Sequence, residues 1–367
     1  MHRIILAFLI PLLTAGAALA QTDVYQQQPS TNVRFRLDSL LRQEWTRDIF
    51  DTPVETHDDD RQLFRALPRL ELGGGRFQLA VGGEFNYGSD ENVPEVKPAL
   101  LRDNYKSREA RLDLAYGRVE PTGWLRLEGG RFPMTVPLTE MLWDKDLRPQ
   151  GAALTLQHKD ASGVPRVGVT GLWAKGSHVF EDEDVEMILA SGQVTFTGAS
   201  QSSLQIMGSY LEFKNAERLE PMIRRQNTRV LGQIVEEYKV VDAVFRVTQG
   251  GTFPAQLVAD LSWNTAVDEK KKGLWLAAVF GSLDTSLARG EYVYASVDRD
   301  ATLAAYAQDD FFWATGWKGH RGEIATRISD RSSFHAIGMW QQFKDSPDPA
   351  QRDHWVKRYR LEVRIRY

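Results

Sequence analysis

The sequence predicts an all-β fold: a transmembrane antiparallel up-and-down β-barrel of about 16 strands, with short periplasmic turns and long outer loops. Three observations carry this expectation. Apolar and polar side chains alternate with a period of two along most of the 367 residues, the spacing of strands and not of helices. The alternating segments reach about ten residues, the length a tilted strand needs to cross a bilayer. Short and long connections alternate, and aromatics (Trp45, Tyr87, Tyr116, Trp173, Tyr210, Trp263, Trp340, Tyr367) recur near segment ends, as girdles at two membrane interfaces require.

The first residues are set aside from the fold. Met1, His2 and Arg3 are a short basic region, Ile4 to Leu13 are apolar, and Ala18-Leu19-Ala20 precedes Gln21. That order reads as a secretory signal peptide cleaved after Ala20, and the apolar run is too short for a spanning helix. The expected organisation is therefore a signal peptide at 1–20 and one outer-membrane barrel over 21–367. Cysteine is absent, so a large exported chain must be held by its core or by a closed strand network. Loss of Arg3 leaves 44 basic against 49 acidic side chains, a net charge of −5. This mild acidity argues against a nucleic-acid partner, which favours a basic footprint.

The pattern is clearest at the C-terminus. Trp355, Tyr359, Leu361, Val363, Ile365 and Tyr367 share one face, and Arg358, Arg360, Glu362, Arg364 and Arg366 the other. Near the start, Val33, Phe35, Leu37 and Leu41 alternate with Arg34, Arg36, Asp38 and Arg42. Phe64, Ala66, Pro68 and Leu70 alternate with Arg65, Leu67 and Arg69; Ala110, Leu112, Leu114 and Tyr116 with Arg111, Asp113 and Ala115; Leu125 and Leu127 with Arg126 and Glu128. The expected strands are 33–45, 62–72, 76–87, 107–119, 124–132, 151–158, 165–175, 185–197, 202–212, 236–248, 254–265, 271–281, 289–298, 320–328, 333–343 and 354–367. Between 185 and 300 the count is open, so 14 and 18 strands remain alternatives. Closure follows from the solvent, because lipid offers the backbone no hydrogen-bond partner.

Sixteen strands enclose an aqueous channel. Parity places Arg34, Arg36, Arg42, Arg65, Arg69, Arg111, Arg126, Arg358, Arg360, Arg364 and Arg366 on its wall. So many charges require water or near-complete pairing; Asp38, Glu44, Glu71, Asp113, Glu128 and Glu362 offer pairing. The third long connection, 132–150, is rich in Phe, Met, Val, Leu and Trp and carries Pro133, Pro137 and Pro149. Such a loop is expected to fold into the lumen, with Glu140, Asp144, Asp146 and Arg148 at a constriction facing the arginine wall and a transverse field between them.

The stretch Gly130-Arg131-Phe132, continuing through Leu142-Trp143-Asp144-Lys145-Asp146-Leu147-Arg148-Pro149-Gln150-Gly151, resembles a porin family of Gram-negative outer membranes, general-porin-like in plan. Asp309-Asp310-Phe311-Phe312 and Gly316-Trp317-Lys318-Gly319-His320 share the resemblance, which covers nearly the whole chain. It implies a bacterial outer-membrane location, contact with lipid and lipopolysaccharide, passage of small hydrophilic solutes and a homotrimer. The terminal Tyr367 resembles the signal read by the barrel-assembly machinery.

Other motifs are assigned no chemistry. Gly73-Gly74-Gly75 reads as a turn. Asp58-Asp59-Asp60, with Asp51, Glu55 and His57, could meet a divalent cation but reads as an outer loop, as does Glu181-Asp182-Glu183-Asp184. His158, His178, His320, His335 and His354 lack metal-ligand spacing, and there is no G-x-S-x-G elbow. Asp298 to Trp313 is expected to include a short helix on the outer face. The expectation is a non-enzymatic passive channel with no cofactor. A substrate-selective uptake or export channel, and a plugged structural or enzymatic barrel, are the alternatives.

Overall fold

The computed structural model describes residues 32–52, 55–74, 76–89, 108–160, 165–177, 185–198, 202–219, 227–231, 233–234, 236–308, 310–311, 314–344, 352 and 354–367. The segment 1–20 expected to be a signal peptide, the loop 90–107 and the acidic run 181–184 lie outside them.

The strands are β1 (Asn32–Thr52), β2 (Glu55–Gly74), β3 (Phe77–Gly88), β4 (Arg108–Thr122), β5 (Leu125–Arg131), β6 (Pro149–Lys159), β7 (Pro165–Ser177), β8 (Glu186–Thr197) and β9 (Ser203–Lys214). A two-stranded ribbon follows, β10 (Arg229–Val230) with β11 (Gln233–Ile234). The remainder are β12 (Tyr238–Gln249), β13 (Ala255–Asn264), β14 (Lys272–Gly281), β15 (Ala288–Val297), β16 (Trp317–Ser329), β17 (Ser332–Phe343) and β18 (Trp355–Arg366). All but β10 and β11 pair with their neighbours, antiparallel, into one closed barrel of sixteen strands. The seam joins β1 to β18, with Trp45 opposite Tyr359 and Arg42 opposite Glu362. Leu37 and Tyr367 exchange both backbone bonds at its end, at 2.8 and 2.9 Å.

Alternation sets the two surfaces. Along β12, Tyr238, Val240, Asp242 and Val244 are buried, while Val241 and Phe245 are 46% and 43% exposed. The outer surface is a band of exposed Val, Leu, Ile and Phe around the barrel. Water-soluble monomers rarely leave a contiguous apolar band of this kind uncovered. Exposed aromatics border the band: Phe77, Trp124, Phe196 and Phe253 toward the turn end, and Tyr87, Trp173, Trp263 and Trp340 toward the loop end.

Three expectations are corrected. The segment 46–61 is not a long loop, because β1 and β2 continue as a paired ribbon to Thr52 and Glu55. Within it, Asp58 and Asp60 face Arg47 instead of gathering around a cation site. In β4, Gly82 pairs with Leu114 and Gly83 with Leu112, so Asp113 is the extra residue of a bulge. Parity reverses there, and Leu114 and Tyr116 turn inward and are buried. Finally, 298–316 forms no helix among its described residues and does not lie on the outer face.

Candidate pore constriction

The third outer loop, 132–148, follows Gly130 at the end of β5, whose φ of 113° suits glycine and whose Cβ would fall 2.3 Å from the Ala115 carbonyl oxygen. Its neck is closed by Phe132 N–H donating to Pro149 O at 3.2 Å. Phe132, Val136, Met141, Leu142, Trp143 and Leu147 are all buried. They form one apolar cluster with inward side chains of the wall, among them Leu172, Leu189, Met207, Leu211, Val240 and Val244. The loop therefore crosses the lumen interior to pack on the far wall. Thr139 Oγ1 donates to Asp260 of β13 there, and a Cβ at Gly273 would meet Met141 Sδ at 2.6 Å.

A second loop folds in over the first. Residues 301–307 of the seventh outer loop, 298–316, are almost wholly buried. Asp144 N–H donates to Tyr306 O at 2.8 Å and Gln308 N–H to Glu140 O at 2.9 Å. The Trp143 and Tyr306 rings stack with centroids 5.5 Å apart. Asp300 anchors the loop by accepting from Tyr238 Oη at 2.9 Å and from Thr228 N at 2.9 Å. The alanine-rich, uncharged run Thr302–Ala307 was the signal for this infolding, by the same logic that applies to the third loop.

The two loops present their charges to the arginine wall. Glu140 meets Arg321 of β16 at 2.6 Å, and Arg321 also holds Glu291 of β15 at 2.7 Å. Asp310, from the seventh loop, meets Lys145 at 2.6 Å and Arg360 of β18 at 2.5 Å, and its carbonyl oxygen accepts from Arg358 at 3.0 Å. Asp146 meets Arg65 of β2 at 2.8 Å, and Arg65 and Arg111 share Glu84 at 3.0 and 2.8 Å. Parity alone named neither Arg321 nor Asp310.

The other expected positions separate by level. Arg42 and Arg364 both pair with Glu362, at 2.7 and 2.6 Å, below the loops. Arg148 is buried on Asp113 at 3.1 Å, inside the neck. Asp144 is buried too, and its carboxylate accepts the Asp146 N–H at 2.8 Å, bracing the loop. Arg69, near Glu71, and Arg126, on Glu120 at 2.8 Å, stand toward the turn end. Arg34 and Arg36 are exposed there, and Arg366 is 83% exposed.

Burial opposes ionisation of Asp310, but Lys145, Arg360, Arg321 and Arg42 outweigh it and hold its carboxyl well below the usual range. Burial likewise opposes the charge on Asp146, and Arg65 and Lys145 overcome it, lowering its pKa. Lys145 is raised, because Asp310, Glu140 and Asp146 more than offset its burial. Its side chain is nevertheless 53% exposed. Beneath these charges a polar cavity of about 390 Å³ extends from Glu140, Lys145 and Asp310 down to the turns at Ser282–Asp284 and Ser329–Ser333.

The fold recurs in solved structures. OmpF of Salmonella typhi, in a complex with daunomycin, is 11% identical, with a TM-score of 0.55 over 92% of this chain and 98% of that one. The chain has the porin fold. OprB of Pseudomonas putida, solved at high pH, gives a TM-score of 0.60 at 10% identity over 92% and 94% of the two chains. A porin of Rhodopseudomonas blastica gives 0.50 at 8% identity, covering 92% and 100%. No family model matches this porin-fold sequence, and no curated protein matches it.

Proposed function

We propose that the chain is an outer-membrane porin: a water-filled route for passive diffusion of small hydrophilic solutes and ions. The observation that carries the reading is the pairing of an apolar outer band with an ionised inner wall on a closed barrel. Such a surface suits lipid outside and water inside. The signal peptide read at residues 1–20 supplies export, the barrel-assembly machinery would insert the chain, and lipopolysaccharide would meet the outer loops. Homotrimer formation belongs to the same reading.

The route runs between the arginines of β1, β2, β16 and β18 and the acidic groups of the two infolded loops. Infolding of the seventh loop favours a narrow, solute-discriminating version over a wide general pore. Carboxylates and guanidinium groups opposed across a gap create a transverse field that orders water and orients dipolar solutes. Swelling of proteoliposomes in sugars of graded size tests this. Entry of a pentose with exclusion of a trisaccharide is expected; no swelling with any sugar would sink the reading.

A further inference from the structure

The cavity below the infolded loops contains a second constellation, which the diffusion pathway does not require. Ser333 and His335 are two residues apart on β17 and share a face. Ser333 Oγ lies 2.8 Å from His335 Nε2, and His335 Nδ1 lies 2.8 Å from Glu323 Oε1 of β16. His335 and Glu323 are 4% and 8% exposed, whereas Ser333 is half-buried, and all three line the cavity. Glu323 also binds Arg289 at 3.1 Å, which fixes the carboxylate in place. An ionised Glu323 can only accept, so Nδ1 carries the proton and the Nε2 lone pair points at the serine hydroxyl. A nucleophile, a base in hydrogen-bond reach and a carboxylate orienting that base are the parts of covalent acyl transfer. Two guanidinium side chains complete the surroundings. Arg327 on β16 and Arg364 on β18 are the register partners of Ser333, on the same face and lining the same cavity.

We propose that Ser333, His335 and Glu323 form a hydrolytic site for small esters bearing a carboxylate, set in the turn-end vestibule of the barrel. Ser333 Oγ attacks the ester carbonyl as its proton passes to His335 Nε2. The sheet's amides are committed to the ladder, so the oxyanion is met by the guanidinium groups of Arg327 and Arg364. The C–O bond breaks and the alcohol leaves with the proton from Nε2. Water then attacks the acyl-serine, gives its proton to Nε2, and releases the acid as Ser333 recovers its hydrogen. One ester and one water become one acid and one alcohol. A cavity of about 390 Å³ admits a small ester, and its arginines favour an anionic one.

The test uses the full-length folded protein in detergent, incubated with a fluorophosphonate, a probe that reacts with base-activated serines. One covalent adduct per chain is expected, mapped to Ser333 by mass spectrometry. The adduct should be absent in Ser333→Ala and form roughly 100-fold more slowly in His335→Gln. Unchanged bilayer conductance of Ser333→Ala shows that the barrel is intact and reports the channel separately. Labelling of the parent no faster than Ser333→Ala, or labelling unaffected by His335→Gln, overturns the proposal.

Discussion

Arg321 is the residue on which the two infolded loops and the wall converge. It is 7% exposed at the side chain, pairs with Glu140 and Glu291, and its guanidinium lies 5.6 Å from the centre of the Trp275 ring. Removing one member of a buried ion cluster leaves its partners uncompensated, typically at a cost of about 3 kcal/mol. Arg321→Ala should therefore lower the urea midpoint of unfolding and move the zero-current potential toward cation preference. Asp310→Asn should do the opposite to the potential, since Lys145 and Arg360 then lose their counter-charge. The pH dependence has a defined sign. Asp310 and Asp146 have depressed folded pKa values. Their contribution is full above the unfolded carboxylate value of about 4 and is lost only as pH falls through the lower folded value. Conductance traces recorded from pH 7 downward should stay unchanged until the pH is below about 4, then become unstable as the loops are released. A transition near neutral pH that persists in Asp310→Asn would contradict this assignment.

At the scale of elements, the third loop is held by fit. Gly273 has no room for a Cβ, which would lie 2.2 Å from Ser262 Oγ and 2.6 Å from Met141 Sδ, whereas a Cβ at Gly290 meets nothing within 4 Å. Gly273→Ala is thus expected to push the loop off the wall and increase open-channel noise, while Gly290→Ala leaves both noise and stability unchanged. The strands were legible because lipid outside and charge inside impose a two-residue period that few other folds sustain. The third loop was legible because apolar side chains in an outer connection demand burial. What escaped needed knowledge of partners. The apolar run in 298–316 fits a surface helix equally well until the third loop is there to receive it. The bulge at Asp113 shifts parity with neither a glycine nor a proline beside it in β4 to announce it. Ser333 and His335 were visibly two apart, but Glu323 joins them only through the diagonal register of β16 and β17.

The whole molecule depends on keeping its two surfaces distinct. Phe245 points outward near the middle of β12, and Phe245→Arg would place a charge in the hydrocarbon, at a cost of about 2–4 kcal/mol. Folding into vesicles followed by urea titration should show that loss. Wall groups near the loop end, by contrast, form an apolar surface on the β7–β15 side, because the two infolded loops cover it. The proposed aqueous route thereby lies on the other side, along the arginines of β1, β2, β16 and β18. Single-channel recording of the refolded protein in a planar bilayer under a salt gradient tests this account most directly. A stable, ohmic conductance is expected, with a zero-current potential displaced from zero and shifted in opposite directions by Arg321→Ala and Asp310→Asn. A correctly folded barrel that passes no current would contradict it.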